Sequence, residues 1–253
     1  MEQSAVSVVV PSFNEEDGIA DVVAGLRRAL AGREHEILVV DDGSSDATAA
    51  RAKAAGASVV QHPVNRGYGR ALVTGLAAAK HPWVLMIDGD GSYPPEEARV
   101  LLDAAEGFDM VVGTRSGKLF WGSPHQALLR WIYLWLAGFV VGEAVPDANS
   151  GLRLFRQDAF ARSMPFLCLG YSFSTTMTLS FLQSGRFVRW VPIRFAARTG
   201  RSKVKPLRDI LRTLQVMTQV MVYYNPLKLC ATLAGAAGLA GLAAGAALWA
   251  EGA

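Results

Sequence analysis

Cysteine and histidine are scarce in this sequence, and neither is arranged as a metal site. The chain has two cysteines, Cys168 and Cys230, and four histidines without the spacing of zinc ligands. Two distant cysteines in apolar surroundings exclude a disulfide framework, and they indicate a reducing compartment. The first apolar run, residues 5–10, is too short for a signal peptide and runs directly into Pro11. We therefore expect neither a secreted, disulfide-bonded protein nor a zinc protein.

Net charge is also low, and no stretch of the sequence repeats. The 25 basic and 22 acidic residues leave a net charge of +3, and we expect no nucleic-acid partner. Hydrophobic residues make up 51% of the 253 residues, which is a high share for a freely soluble enzyme. A chain of this length can hold one large α/β domain, with or without an appendage.

Short apolar runs alternate with helical patterns along the first half of the chain. We predict strands over 6–10, 36–40, 57–61, 83–87 and 108–113, with helices over 16–31, 47–55, 70–80 and from residue 96. Residues 152–156 alternate apolar and basic side chains as an edge strand would, and we predict a helix over 172–182 and a strand over 186–193. This alternation predicts a doubly wound, mostly parallel, Rossmann-like α/β sheet flanked by helices.

Polar residues follow each of the first five predicted strands. The carboxyl ends of parallel strands meet at one edge of the sheet, where open α/β sheets bind ligands. The residues at these strand ends are Phe13, Asn14, Glu15, Asp41, Asp42, Asn65 to Gly69, Asp88, Asp90 and Arg115. Each of them alone is explained as a turn residue, but five consecutive strand ends of this kind predict a functional site.

Asp88 and Asp90 are the central pair of this predicted site. They lie in the segment IDGDGSYPP, residues 87–95, directly after the fourth strand. Two close carboxylates repel each other, and a hard divalent cation with oxygen ligands relieves that repulsion. We therefore predict Mg²⁺ or Mn²⁺ at this pair, shared with substrate phosphates. An acidic turn that caps the strand is the alternative explanation of the nine residues.

The C-terminal third of the chain is first basic and then apolar. Residues 194–212 hold seven arginines and lysines against one acid, and the loop from Arg198 to Lys203 suits phosphate groups. A solvated charge run is the simpler alternative. Residues 206–226 show an amphipathic pattern suited to a membrane interface, and residues 227–250 are long enough to cross a bilayer. Gly241 and Gly245 stand at a spacing that allows close packing with a second helix, and hence oligomerisation.

Another apolar segment, residues 128–141, lies in the middle of the chain. It is rich in aromatic residues and carries one charge, Arg130. Such a helix can belong to a core, but Trp131 and Trp135 also suit the headgroup depth of a membrane, and we favour a membrane-facing helix. Because basic residues precede the apolar C-terminal segment, the positive-inside rule predicts a catalytic domain on the cytoplasmic face of the inner membrane.

Seven stretches of the sequence together resemble one enzyme family. They are PSFNEE (11–16), VVDDGSSDAT (39–48), NRGYGRAL (65–72), MIDGDGSYPPEE (86–97), VVGTR (111–115), PDANSGLRLFR (146–156) and RTGRSKV (198–204). In this order they are similar to family 2 glycosyltransferases of GT-A fold. Within that family they most resemble polyprenyl-phosphate sugar transferases, the group of dolichol-phosphate mannosyltransferase and the bacterial undecaprenyl-phosphate glycosyltransferases. The resemblance implies a GT-A domain over residues 1–205, ahead of the amphipathic and membrane-spanning helices.

The resemblance also implies a role for each matching residue. The residues that would bind the nucleotide are Pro11, Phe13, Glu15, Asp42, Asn65 and Asp88. The metal would be bound by Asp88 and Asp90, and the catalytic residues would be Asp90, Arg115, Arg198 and Lys203. The residues that would bind the acceptor phosphate are Arg130, Arg198, Arg201, Ser202 and Lys203. Ser92 stands where some members carry a stronger polar group, so we expect no strong third protein ligand to the metal.

The implied reaction is the inverting, metal-dependent transfer of one sugar from a nucleoside-diphosphate sugar to undecaprenyl or dolichyl phosphate. GDP-mannose and UDP-hexoses both fit as donors. A lipid phosphate is largely dianionic at neutral pH and needs little or no general base. A hydroxyl acceptor would instead make Asp147 the candidate for the base.

Two other functions compete with this reaction. Residues 126–131 spell QxxRW, a signature of processive polysaccharide synthases, but here the match precedes residues 146–151 instead of following an acidic acceptor motif. A membrane-tethered, non-catalytic binder of nucleotide sugars is the other, and the presence of both Asp88 and Asp90 argues against it. A third possibility, a nucleotidyltransferase, would carry a glycine-rich, lysine-containing loop near its N-terminus, and residues 11–16 are no such loop.

Overall fold

The computed structural model describes residues 5–163, 173–196 and 206–252. Within these ranges the strands are β1 Val6–Ser12, β2 His35–Asp41, β3 Ser58–Gln61, β4 Trp83–Met86, β5 Met110–Thr114, β6 Arg153–Arg156 and β7 Val188–Pro192. The helices are α1 Ile19–Ala29, α2 Thr48–Ala54, α3 Tyr68–Ala78, α4 Glu97–Asp103, α5 Gly117–Trp121, α6 Pro124–Val141, α7 Gln157–Ser163, α8 Phe173–Gln183, α9 Pro206–Tyr224 and α10 Pro226–Gly252.

The strands form one sheet of seven strands in the order β3-β2-β1-β4-β6-β5-β7. β1 pairs in parallel with β2 and β4, β2 with β3, and β5 with β7. The predicted α/β class and mostly parallel sheet are therefore confirmed. The β-branched runs of the sequence form these strands because both faces of the sheet are covered by helices.

The prediction of an edge strand over residues 152–156 is wrong. β6 lies inside the sheet and runs antiparallel to both of its neighbours, β4 and β5. The basic residue that suggested exposure, Arg153, has none of its surface exposed, because backbone carbonyls and a hydroxyl receive its guanidinium. Since β6 is reversed, its first residue lies at the edge of the sheet where β4 ends.

Side chains alternate between two apolar layers along each buried strand. Val8 and Val10 of β1 face the layer that contains the buried residues of α1 and α4. Val9 faces the opposite layer, which is formed with α3, α7 and α8. Successive side chains of a strand point to opposite faces, so one valine run serves both layers.

Helix α9 packs on the α/β domain along part of its apolar side. Val216, Met217 and Val220 are buried against residues of α6 and α8. Met217, Leu211 and Leu214 belong to the apolar stripe of the helix predicted over residues 206–226, and of these three Leu211 and Leu214 are exposed. The stripe that we predicted for a membrane interface is therefore divided between the protein and the outer surface.

Helix α10 carries the apolar C-terminal segment. Residues 226–250, a run of 25, are long and apolar enough to cross a membrane, and none of the most apolar window is buried in the protein. Among the described residues it is the one helix with these properties. Its length and composition fit a membrane span, which requires about 20 residues.

Met217 and Leu214 provide a matched test of how α9 is docked. Replacing the buried Met217 with alanine leaves a cavity, and we expect it to lower the free energy of unfolding by about 2–5 kcal/mol. Leu214→Ala removes an exposed side chain and should change it by no more than about 0.5 kcal/mol. Denaturant unfolding of both variants in detergent measures the difference. Equal losses would contradict the packing of this face on the domain.

Candidate active site

The loops that follow β1 and β2 are held together by hydrogen bonds between them. Asn14 has a positive φ of 49°, and its side-chain oxygen accepts from the Ser45 amide at 2.9 Å. In return, the Asn14 amide donates to the Ser44 hydroxyl, and the Glu15 amide donates to Thr48, each at 2.9 Å. These contacts bring the predicted nucleotide-binding residues of the two loops to one edge of the sheet, with Pro11 buried and Phe13 half-buried.

Asp42 is engaged by the protein's own donors. It is 3% exposed, and it accepts from the amides of Arg66 and Gly67 at 2.9 and 2.7 Å. The Nδ1 atom of His62 lies 2.6 Å from the same carboxylate, and its Nε2 atom lies 2.9 Å from the Thr74 hydroxyl. Asp42 thus fixes the loop that carries the exposed Asn65, and sequence reasoning missed the part of His62 in this arrangement.

Asp88 lies between Tyr68 of α3 and Gly151 of the loop before β6. The Tyr68 hydroxyl donates to its carboxylate at 2.8 Å. Burial, together with the negative charge of Asp88, raises the pKa of Tyr68 well above its ordinary value, so this hydroxyl keeps its proton. The carboxylate also lies against Gly151, where a Cβ atom would stand 2.2 Å from the Asp88 Oδ2 atom. Only a glycine allows the loop before β6 to come this close.

Asp90 is held by its own turn. The amide and the hydroxyl of Ser92 donate to its Oδ1 atom at 3.0 and 2.6 Å. Ser92 is itself buried, so this turn is enclosed by the protein. Gly89, between the two acids, leaves no room for a side chain, since a Cβ atom would stand 2.4 Å from the Ser12 hydroxyl.

The chemistry of this donor set suits a hard divalent cation. Asp88 and Asp90 supply carboxylate oxygens, the ligands that Mg²⁺ and Mn²⁺ prefer. Within the described ranges, no group of three or more histidine, cysteine, aspartate or glutamate side chains could hold a metal ion. Two protein carboxylates are enough for an ion that takes its other ligands from water and phosphate.

Arg115 and Asp147 form a buried ion pair at the end of β5. The Nε and Nη2 atoms of Arg115 donate to the two carboxylate oxygens at 2.8 and 2.9 Å, and the Arg115 amide donates at 3.2 Å. The Asp147 side chain is only 2% exposed. Burial by itself lowers the pKa of Arg115, but Tyr93 and the hydrogen-bonded Asp147 outweigh it and raise this pKa above its ordinary value. Arg115 therefore stays charged.

A second guanidinium stands close to this pair. Arg130 of α6 lies over the ring of Phe120 at 4.5 Å, and Arg115 lies over the same ring at 5.3 Å. Burial and the neighbouring positive charge of Arg115 lower the pKa of Arg130. Two adjacent guanidinium groups make this side of the site suitable for an anion.

Arg153 supports the loop at residues 146–151, which contains both Asp147 and Gly151. Its guanidinium donates to the carbonyls of Ser150 and Ala148, both at 2.7 Å, and to the Thr178 hydroxyl at 2.6 Å. Sequence reasoning missed this role, because an alternating apolar and basic pattern is also typical of a solvated strand. The signal available was the position of Arg153 directly after the turn-rich loop at residues 146–151.

Several predicted site residues fall elsewhere. Arg198, Arg201, Ser202 and Lys203, assigned to catalysis and to the acceptor phosphate, lie outside the described residues. Arg194, the first cation of the basic run, pairs with the buried Glu97 at 2.5 Å. The described site therefore contains Pro11, Phe13, Glu15, Asp42, Asn65, Asp88, Asp90, Arg115 and Arg130, along with Tyr68, Asp147 and Arg153.

Comparison with known proteins identifies the family. The family described as "Glycosyl transferase family 2" matches residues 7–163, more than half of the chain. The chain belongs to this family. It is therefore a glycosyltransferase by descent, and the resemblance predicted from the seven stretches is confirmed.

Named relatives include transferases that act on lipid phosphates. Glycosyltransferase AglJ of Haloferax volcanii is 32% identical over 81% of this chain and 68% of its own. The dolichyl-phosphate hexose transferase of the same organism is 30% identical over 79% of this chain and 87% of its own. The undecaprenyl-phosphate mannosyltransferase of Micrococcus luteus is 28% identical with the same coverage, 79% and 87%. Some relatives are longer, and the chain spans only 52% of the Haloferax volcanii hexosyltransferase Agl6.

Solved structures support the fold and the metal. Glucosyl-3-phosphoglycerate synthase from Mycobacterium tuberculosis matches with a TM-score of 0.68 and 26% identity, over 87% of this chain and 80% of that chain. The same enzyme has been solved with Mn²⁺, UDP and glucosyl-3-phosphoglycerate, and with Mg²⁺ and UDP. These neighbours support a divalent metal at a GT-A site.

Gly151→Ala tests the contact between the loop before β6 and Asp88. The added methyl group overlaps the Asp88 carboxylate, so we expect Asp88 to turn away from Tyr68 and metal-dependent binding of UDP or GDP to weaken at least about tenfold, equivalent to ~1.4 kcal/mol. Isothermal titration with and without Mn²⁺ measures this. Binding of the same nucleotide without Mn²⁺ is the internal control, and it should be the same in the variant and the wild type. Unchanged binding in the presence of Mn²⁺ would refute the assignment of Asp88 to the site.

Proposed function

We propose that the protein transfers one sugar from a nucleoside-diphosphate sugar to a polyprenyl phosphate at a membrane, with inversion at the anomeric carbon. The proposal is supported by the family, by the charges of the site and by the apolar helix α10. Two relatives are named for transfer to dolichyl and undecaprenyl phosphate, and both lipids fit as acceptors here.

The ion pair of Arg115 and Asp147 is the observation that carries the proposal. Asp147 is the acid of the loop at residues 146–151, here named the acceptor-side loop, and a hydroxyl acceptor would need such a group as a general base. Both of its oxygens already accept hydrogen bonds from a guanidinium, and the side chain is almost fully buried. With both oxygens engaged, this carboxylate is poorly placed to accept a proton from an acceptor hydroxyl. An acceptor that arrives deprotonated, such as a phosphate monoester with a second pKa near about 6, needs none.

The donor half of the site would bind the nucleotide diphosphate. Pro11, Phe13 and Glu15 would contact the base and ribose, and Asp42 would hold the loop that carries Asn65 against them. Asp88 and Asp90 would hold Mg²⁺ or Mn²⁺, which supplies charge stabilisation to the departing diphosphate. Tyr68, whose raised pKa keeps it protonated, orients Asp88 by its hydrogen bond.

The acceptor half would bind the lipid phosphate. Arg130 offers donors beside Phe120, while Arg115 adds positive charge without leaving Asp147. By resemblance, Arg198, Arg201, Ser202 and Lys203 would add further donors to phosphates. The phosphate oxygen would attack the anomeric carbon as the bond to the diphosphate breaks. Positioning of the two charged reactants supplies most of the acceleration.

The membrane would lie along the outer side of α6, at the end where α10 begins. Leu129, Trp131 and Trp135 of α6 are exposed, which suits aromatic and apolar side chains at an interface. α10 would cross the bilayer. Because Lys and Arg residues precede α10 in the sequence, we propose that the catalytic domain faces the cytoplasm.

The two competing functions have less support. The glutamine of the QxxRW match, Gln126, closes a capping box with Ser123 at the start of α6, which explains it structurally. Trp131 of the same match is exposed rather than turned to the site. A non-catalytic binder would not require both Asp88 and Asp90.

A panel of labelled nucleotide sugars tests the proposal. Membranes that contain the full protein are incubated with GDP-mannose and UDP-hexoses, and the lipids are extracted. We expect one labelled sugar per polyprenyl phosphate, and 3-phosphoglycerate should fail as an acceptor. A polymeric product, or a donor that binds without any transfer, would favour one of the competing functions.

Asp90→Asn tests the acidic pair. The substitution keeps the size of the side chain and removes a charged metal ligand, so we expect transfer to fall at least about 1,000-fold with an unfolding midpoint close to that of the wild type. EDTA should inhibit the wild type, and added Mn²⁺ should restore it. Full activity in EDTA would exclude the metal.

Arg130→Gln tests the acceptor half. Removing one charge-assisted contact, worth ~1.5–3 kcal/mol, should raise the KM for polyprenyl phosphate about tenfold or more and leave the KM for the donor unchanged. Arg28→Gln, at an exposed position in the last turn of α1, is the matched control. A rise in the donor KM instead would move Arg130 to the other half of the site.

A further inference from the structure

The start of α10 is fastened to the end of α6 by Lys228. The Nζ atom of Lys228 donates to the carbonyl of Phe139 and lies 4.6 Å from the centre of the Phe139 ring. Asn225 ends α9, since its amide donates to Met221 at 2.8 Å, and its side chain accepts from the Lys228 amide at 3.1 Å. Lys228 therefore stands in the first turn of α10, where its side chain reaches back to another helix.

The position of this cation is explained by α6 and not by α10. A positive charge in the first turn of a helix is unfavourable, because the helix dipole is positive there. At the last turn of α6 the same charge is favourable, and the carbonyls there lack helical partners. Gln183 satisfies the next carbonyl, that of Val140, at 2.8 Å. Lys228 thus stabilises the end of α6 at the expense of its own helix.

The junction is held from a second side by Tyr224. Its hydroxyl lies 3.0 Å from the Ser184 hydroxyl and 3.3 Å from the Ser163 carbonyl. The last turn of α9 and the first turn of α10 are therefore tied to different parts of the catalytic domain. Two such attachments on either side of Asn225 define the direction in which α10 leaves the domain.

Helix α6 joins this attachment to the acceptor half of the site. Arg130 precedes Phe139 by nine residues on the same helix, a rise of about 14 Å. Tyr133, between them, contacts Thr175 at 2.8 Å, and Thr175 donates to Asn149 of the acceptor-side loop at 2.7 Å. On the outer side, Trp135 stacks on Phe139 with ring centres 6.0 Å apart. One rigid element thus carries both the Lys228 contact and Arg130.

We propose that Lys228 is a positioning residue that sets the height and tilt of the acceptor half above the bilayer. The inference rests on the proposed function, because it assigns α10 to the membrane and a lipid phosphate to the acceptor. Lys228 itself touches no substrate. It holds α10 to α6, so that Arg130 meets a phosphate at headgroup depth.

Two acceptors separate this role from a structural one. Lys228→Met keeps the length of the stem and removes the charge. Transfer to a full-length polyprenyl phosphate in vesicles should lose about tenfold in kcat/KM, while transfer to a short-chain, water-soluble prenyl phosphate should change less than about twofold. Lys228→Arg should restore most of the loss, and Lys53→Met, at an exposed position of α2, should show none. Equal losses with both acceptors, or no loss in vesicles, would overturn the proposal.

A measurement without catalysis keeps the two proposals distinguishable. Brominated lipids quench tryptophan fluorescence at defined depths, and we expect Lys228→Met to change the depth profile relative to wild type in the same vesicles. An unchanged profile would overturn the role of Lys228. If wild-type protein transfers sugar to neither acceptor but the profile shifts, the proposed function fails, while the part of Lys228 in fixing the depth of the protein in the membrane stands.

Discussion

The arrangement of the site depends on the reversed strand β6 and on the buried guanidinium of Arg153. Because β6 runs antiparallel to β4, the loop before it arrives at the same edge of the sheet at which Asp88 stands. Arg153 gives that loop its shape by binding two of its carbonyls. Burying a charge is costly unless it is fully hydrogen-bonded, and the five donors of a guanidinium allow this. Without this reversal, the acceptor-side loop would approach from the opposite edge.

The two halves of the site have opposite charge and are held in different ways. On the proposed donor side, Asp88 and Asp90 accept hydrogen bonds from neutral hydroxyl groups, those of Tyr68 and Ser92. These hydrogen bonds fix the positions of the two carboxylates. On the acceptor side, Arg115 is paired with Asp147 and Arg130 packs on Phe120. The negative half suits a metal diphosphate, and the positive half suits a second phosphate.

The sequence was sufficient to predict the layers of the fold and the edge at which the site lies. Hydrophobic periodicity depends on local burial, so the strands with continuous apolar runs and the polar ends that follow them could be located. The direction of β6 could not, because pairing between distant segments leaves no local pattern. Arg153 was misread for the same reason, since its partners in α8 and in the preceding loop are known only after folding. The use of Asp42 and Asp147 within the protein was likewise invisible, because the sequence shows a carboxylate but not what it binds.

The connection between α9 and α10 has a consequence for how the protein meets its acceptor. A single residue, Asn225, separates the two helices, and side chains on both sides of it attach to the domain. If α10 crosses the membrane as proposed, a connection of one residue holds the domain at a nearly fixed distance from the bilayer. The catalytic domain cannot search the space above the bilayer for its substrate. Encounters are then governed by lateral diffusion of enzyme and lipid in two dimensions, and their frequency by the surface density of the lipid rather than by its bulk concentration.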